Sequence, residues 1–327
     1  MTSNQFTSMP IPITEQQWEE GTLPLISITC ITFNHANFIR KAIEGFLSQE
    51  TSFPVEILIH DDASSDGTTE IVREYQKRFP LLIQPIYQEV NQLSQGINPF
   101  IKFLFPSAHG KYIAICEGDD YWIDPLKLQK QIDFLEAHPG YSAASHQSLV
   151  VYADETNKKT KLFNEHNFTD IELDNLLDGR LFHTASLVFR SEIIKRHSMP
   201  ADITAGDRAL FFLLASFGKI YYFNETMCCY RKHTGGISSW VTTEMLEKDM
   251  KIVPWISQIN PDFPKHRYYQ FLHLAALDYP TSLSIIKLIK HSLLYIYHSL
   301  FIKPYNLHNI KMFVSQQFPA LLTKVRK

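Results

Sequence analysis

Four short apolar runs, each closed by a polar turn, constrain this chain more than any other feature. They are residues 25–33 (LISITCITF), 55–60 (VEILIH), 81–87 (LLIQPIY) and 111–116 (KYIAIC). An Ile-rich run such as 25–33 is of the kind found in the middle of a parallel sheet, buried on both faces. Between them lie helical stretches. Phe38, Ile39, Ala42, Ile43, Phe46 and Leu47 repeat at helical spacing, with Asn34 the expected N-cap. A second helix is expected from Asp66 and Gly67 to about Phe79, and a third over residues 100–105. Strands alternating with helices over about 130 residues predict right-handed βαβ units in an α/β, Rossmann-like, three-layer domain with a mostly parallel central sheet. In such sheets ligands bind outside the carboxyl ends of the strands. Phe33, Asn34, Asp61, Asp62, Glu117, Asp119 and Asp120 are all expected on that rim.

The fourth run opens KYIAICEGDDYWID, which places Glu117, Asp119 and Asp120 around Gly118 within four positions. Such a cluster repels itself unless something positive sits there. A hard divalent cation, Mg²⁺ or Mn²⁺, takes one or two carboxylates and completes its shell with water and phosphate oxygens. Gly118 removes side-chain bulk where a ligand approaches. Taken alone, the same residues also read as an acidic turn with Asp124 capping the next helix, which Pro125 starts and which ends at 138–140 (HPG). Further on, residues 141–152 and 183–190 read as strands, 153–167 as a polar surface excursion, 203–218 as a loop entering a buried helix, and 220–223 and 226–230 as two short strands. The paired glycines of 231–240 (RKHTGGISSW) indicate a loop, and the pattern from about 241 is helical.

With 327 residues, 45% of them apolar, the chain can build one large or two modest cores. Cys30, Cys116, Cys228 and Cys229 form no C-x-x-C pair, which suggests a reduced, intracellular protein without a zinc site. Neither a signal sequence nor an apolar window long enough to span a membrane is expected. From Tyr279 onward there is no Asp or Glu, but Lys287, Lys290, Lys303, Lys311, Lys324, Arg326 and Lys327 are present. That tail carries +7, so with a net charge of −3 the remainder carries −10. A basic, aromatic-rich tail on an acidic body points to an anionic surface as partner.

Four segments in order, ITCITFNHANFIRKAIEGFLSQ, ILIHDDASSDGT, GKYIAICEGDDYWIDPLKLQKQ, and GDRALFFLLASFGKI followed by YRKHTGG, resemble the inverting family-2 glycosyltransferases of the GT-A fold. The resemblance implies a nucleotide-sugar donor, UDP above dTDP or GDP, a saccharide or lipid-linked acceptor, and a divalent metal (Mn²⁺ or Mg²⁺). It implies that Asp62 accepts from the pyrimidine ring, the alternative being a turn-forming Asp after a strand. The backbone around Ile31 and Phe33 would line the base pocket. Asp119 would ligate the metal, with Glu117, at a position where the family more often has Asp, touching ribose or a metal-bound water. Asp207, otherwise a helix N-cap, matches the family's general base. Asp120 and Trp122 would position the acceptor or hold the loop, and Arg231 and His233 would contact phosphate or metal. The Q-x-x-R-W pattern of processive relatives is missing, as Trp240 lacks that context, so one sugar per encounter is expected.

The expected organisation is a lead-in (1–23), a GT-A domain (24–240, nucleotide-binding half 24–122 and acceptor half 123–240) and a helical, basic extension (241–327). Within the extension, residues 282–301 gather apolar side chains largely on one side of a helix. Such a helix either lies in a membrane interface or packs on the catalytic domain. Docking on the inner leaflet would make the protein cytoplasmic and peripheral. Nucleic acid is disfavoured by the acidic body. A nucleotidyltransferase would need a Gly- and Lys-rich loop where TFNHANF stands, and a non-catalytic sugar-nucleotide binder would not need Asp207.

Overall fold

The computed structural model describes residues 9–153, 159–200, 203, 205–236, 242–278, 285–302, 310, 311 and 313–317. They fall into two compact units: 1–172 with 180–201 and 213–234, and 173–179 with 202–212 and 235–327. Trp240 and the basic residues Lys303, Lys324, Arg326 and Lys327 lie outside the described residues.

In chain order the first unit contains β1 (Ile11–Pro12), β2 (Ile26–Thr32), α1 (Ile39–Leu47), β3 (Glu50–Thr51), β4 (Val55–Asp61), α2 (Thr68–Arg78), β5 (Ile83–Tyr87), α3 (Phe105–Ser107), β6 (Tyr112–Ile115), β7 (Tyr121–Trp122), α4 (Lys127–Ala137), β8 (Tyr141–Tyr152), β9 (Lys161–Leu162), β10 (Asp170–Ile171), β11 (Val188–Arg190) and α5 (Ser191–Arg196). Next, α6 (Gly206–Ala215) leads into β12 (Lys219–Lys232). The main sheet has the order β10-β12-β8-β11-β6-β2-β4-β5. Its β6-β2-β4-β5 half is parallel, and β11 joins antiparallel on both sides. This is the α/β, mostly parallel sheet expected. Both faces of its central strands are covered: Ile26, Ile28, Cys30, Ile57, Ile59 and Ala114 are fully buried with Ile39, Ile43 and Phe46 of α1, and Ser27, Thr29, Glu56 and His60 are buried among them. All four cysteines are free and buried.

Several boundaries differ from expectation. The segments read as strands at 220–223 and 226–230 are one strand, β12, whose ladder with β8 slips between Phe223 and Cys228 but does not break. Residues 184–186 form a 3₁₀ turn, so only Val188–Arg190 of that segment is strand. Asp124 accepts from the Leu126 N–H at 2.8 Å, and the helix begins at Lys127. Asn34 does not cap α1, which starts at Ile39; it stands in the left-handed region at φ 52°.

The second unit contains α7 (Thr243–Asp249), α8 (Ile252–Ile259), α9 (Lys265–Asp278) and α10 (Ile285–Ser299). The Thr242 hydroxyl accepts from the Met245 N–H at 3.3 Å and caps α7. The α10 face turned to α9 is unexpectedly polar. It buries Leu288 and Tyr295 together with His291, Ser292, His298 and Ser299. Nδ1 of His273 lies 3.0 Å from Nδ1 of His291, and Nδ1 of His266 lies 2.9 Å from Nδ1 of His298. The apolar side read from the sequence as facing either a membrane interface or the catalytic domain is open: Ile286, Ile289, Leu293, Tyr297, Leu300 and Phe301 are exposed. Lys287 and Lys290 pair with Glu244 and Glu247 of α7. No helix among the described residues is long and apolar enough to cross a membrane.

Burial first, then the neighbouring His291 and His298, push His273 down to about 3; burial and then His266 push His298 down to about 4. The unfolded chain therefore binds protons near pH 6.5 that the folded helices refuse, so this stability is full above pH 6.5 and declines as pH falls toward 4. Thermal midpoints of the full chain should drop across that window, and His273→Phe should flatten the drop. Equal slopes in the two proteins would remove the histidine seam as the cause.

Candidate active site

The carboxyl ends of β2, β4 and β6 lie side by side, and the backbone of their turns is stitched to β2. The Asp62 N–H donates to the Thr32 carbonyl at 2.9 Å, and the Gly118 N–H to that of Ile31 at 2.8 Å. The turns after β2 and β4 also clasp each other. The Asn34 N–H donates to Ser64 Oγ at 2.9 Å, that of His35 to Thr68 Oγ1 at 2.8 Å, and that of Ala36 to Asp66 Oδ2 at 2.9 Å. Asn34 Oδ1 accepts in return from the Ser65 N–H at 2.9 Å. Asn34 thus spends its side chain on the opposite turn while its left-handed backbone aims His35 at the rim. Asp61 holds the same turn through the Ser64 N–H and the Thr69 hydroxyl. Asp66 accepts from the Thr68 N–H at 3.0 Å at the start of α2, as expected.

The acidic turn after β6 divides into two groups. Asp119 faces the histidines: its Oδ2 lies 3.0 Å from Nε2 of His233 and 4.0 Å from Nε2 of His35. One ligand atom from each of the three lies within 4.8 Å of the others, a spacing one cation can bridge. Glu117 is grouped instead with Asp120 and His183, also within 4.8 Å. The two acids of the D-x-D pattern therefore point into different clusters. Burial raises Asp119, but the His233 hydrogen bond and the nearby His35 outweigh it and hold the carboxyl below the usual range. Asp120 goes the other way, raised by burial and then by the charges of Asp119 and Glu117.

The second side of the site comes from β12. Its antiparallel pairing with β7 sets Cys228 against Trp122 and Cys229 against Tyr121. That register brings the Arg231 N–H to Asp120 Oδ1 at 2.7 Å and its Nη1 to the Asp119 carbonyl at 2.6 Å. The guanidinium stacks between Phe38 (4.7 Å) and Tyr121 (4.8 Å). Arg231 is buried as a brace of the acidic turn. Trp122 is a core residue: Nε1 donates to the Ala185 carbonyl at 2.9 Å, Phe46 packs on the ring at 4.9 Å, and the buried Lys127 ammonium sits 4.1 Å from its centre. At 3% exposure it holds the loop and is not a surface for an acceptor.

Both Asp62 oxygens are engaged, from the Gln92 N–H at 2.8 Å and the Leu93 N–H at 3.0 Å, which ties the 88–95 loop to the rim. Ile31 is half-buried with its carbonyl used by Gly118, and Phe33 is exposed at the edge. Gly118 was expected to make room for a ligand; a Cβ there would instead stand 2.8 Å from Thr32 Oγ1 and 3.0 Å from Ile39. It is glycine so that the acidic turn can lie against β2 and α1. Asp207, in the second unit, occupies the first turn of α6, where its Oδ1 accepts from the Arg208 N–H at 2.8 Å. Sequence reasoning missed His35 and His183. The His in FNHANF was the available signal, visible only as a polar residue at a strand end.

A family model described as glycosyl transferase family 2 matches residues 27–197. The chain belongs to this family. An uncharacterized protein of Mycobacterium tuberculosis is 39% identical over 65% of this chain and 60% of its own, so the chain spans about 60% of that relative's length. The putative teichuronic acid biosynthesis glycosyltransferase TuaG of Bacillus subtilis is 28% identical over 66% of this chain and 82% of its own. Among solved structures, S. aureus TarS in complex with UDP-GlcNAc superposes with a TM-score of 0.65 at 16% identity, over 92% of this chain and 88% of that one. A Pyrobaculum calidifontis mannosyltransferase, PcManGT, in complex with GDP-Man and Mn²⁺ gives 0.55 at 18%, over 96% and 91%. These likenesses establish the family-2 GT-A fold.

Gly118→Ala should cost about 1–3 kcal/mol through overpacking against Thr32 and Ile39. Urea unfolding measures it, and an unchanged midpoint would show that the turn has slack.

Proposed function

We propose that this chain transfers one sugar from a nucleoside-diphosphate sugar, a UDP-sugar first, to a hydroxyl of a saccharide or lipid-linked acceptor, inverting the anomeric carbon in one displacement. The observation that carries the reading is the group Asp119, His233 and His35 at the carboxyl ends of parallel strands in a family-2 chain. The donor set fits a divalent cation, since two imidazoles and a carboxylate offer borderline and hard ligands at bridging distances. Asp119 and His233 would hold it, and such an ion stabilises the charge that develops on the leaving diphosphate.

The protein's own groups would do the rest. Asp62, with the backbone at Ile31 and Phe33, would bound the base and ribose, and Glu117 would face the ribose side of the acidic turn. Arg231 would keep Asp119 and Asp120 in place. Asp207 would take the acceptor proton as the hydroxyl attacks; the match to the family's acidic position supports that role. Bound UDP or UDP-sugar should raise the melting temperature in the presence of Mn²⁺. Asp207→Asn should lower turnover by about 10²–10⁴-fold while that shift persists. Full turnover in Asp207→Asn would overturn the base, and a shift without turnover in the unaltered chain, across a panel of acceptors, would favour a non-catalytic binder.

We also propose that the outward stripe of α10 (Ile286, Ile289, Leu293, Tyr297, Leu300 and Phe301) docks on an anionic membrane surface. The exposure of the stripe and the acid-free, basic chain from Tyr279 onward support this. The full chain should float with vesicles containing phosphatidylglycerol, and Leu293→Glu with Tyr297→Glu should abolish recovery without lowering the melting temperature. Equal recovery of both proteins would refute it.

A further inference from the structure

His35 is more elaborately held than a rim histidine needs to be, yet its ring is unused. The backbone N–H groups of residues 34, 35 and 36 are each bound by a side chain of the facing turn. Packing confines the ring as well: it meets Phe38 edge-on at 6.2 Å and His233 at 6.0 Å. Neither ring nitrogen makes a hydrogen bond among the described residues, and Nδ1 is buried without a partner. A polar ring so enclosed is costly unless something satisfies it. Its Nε2 faces Asp119 Oδ2 at 4.0 Å, too long for a hydrogen bond. For two ligands sharing one ion, however, the distance is apt. Donors about 2.1 Å from a common ion stand about 3 Å apart when adjacent and about 4.2 Å apart when opposite. The pairs His233–Asp119 at 3.0 Å and His35–Asp119 at 4.0 Å fall at these two values.

We infer that His35 is a third protein ligand of the cation site, and that it makes the site selective for a transition ion such as Mn²⁺ over Mg²⁺. The inference rests on the cation reading above and extends it from whether a metal binds to which one. Imidazole nitrogen is a better ligand for first-row transition ions than for Mg²⁺, which prefers oxygen and gives up water reluctantly. A third fixed ligand also takes a coordination position otherwise open to water, so fewer positions remain for diphosphate oxygens. Asp119 and His233 come from chain segments far apart in sequence, and His35 from a third, so the site would tie the β2, β6 and β12 ends together when filled.

The test is metal binding to the full chain without donor, measured by Mn²⁺ electron paramagnetic resonance titration and by competition with Mg²⁺. Wild type should bind Mn²⁺ at least about 10-fold more tightly than Mg²⁺, and His35→Ala should weaken Mn²⁺ by about 10–100-fold while changing Mg²⁺ by less than about 3-fold. Pulsed measurements on Mn²⁺-loaded wild type should show two coupled imidazole nitrogens and His35→Ala one, which decides the matter even if the variant's stability falls. A single imidazole in wild type, or unaltered Mn²⁺ affinity in His35→Ala alongside loss in His233→Ala, would overturn the inference and leave the cation reading standing. No Mn²⁺ binding by wild type, with or without UDP, would overturn both.

Discussion

Three carboxylates in one turn are a physical problem, and the site is organised around its solution. Glu117, Asp119 and Asp120 follow a fully buried strand, where mutual repulsion is weakly screened. The fold separates them. Asp119 is directed to two imidazoles and held in its ionised form. Asp120 is buried against the Arg231 N–H, where burial and its neighbours favour the protonated form. Glu117 is turned toward His183. Raising one acid toward its neutral form while setting the other against two imidazoles limits the repulsion within the turn.

Holding that arrangement takes three strand ends and a long strand. Turns after single strands wander unless tied, and here the ties are reciprocal: side chains of 64–68 bind the backbone of 34–36, and Asn34 answers to Ser65. On the other side, β12 carries Arg231 at its end with His233 just beyond it, in register with β7 through Cys229 and Tyr121. A register slip by one residue would turn Arg231 and His233 to the opposite face. Trp122, locked by Ala185, Phe46 and Lys127, anchors the β7 side of this ladder in the core.

The second unit follows another logic. Its α9–α10 seam sets buried histidines and serines beside Leu277, Leu288 and Tyr295, and a second apolar side of α10 is left outside. Neutral histidines can share one proton between two ring nitrogens and pack as flat rings, so the seam is tight at neutral pH. Six large apolar side chains are left exposed along α10, the observation behind the proposed membrane docking.

The four apolar runs and their polar ends were enough to establish the parallel sheet, the rim where the turns meet and the acidic turn as its centre. Buried strands are mostly apolar and the turns that close them polar, so local chemistry records both. Motif order was enough to reach the family. Other features depended on residues far apart in the chain. Whether Gly118 serves a ligand or packing against Thr32, whether Asn34 caps a helix or clasps a turn, and whether Trp122 meets solvent are set by neighbours about 30 to 90 positions away. The apolar periodicity of residues 282–301 named one apolar side but not whether it would be covered, because that depends on what packs against the helix. His35 stayed invisible for the same reason: a histidine becomes a ligand only when folding brings Asp119 and His233 to its ring.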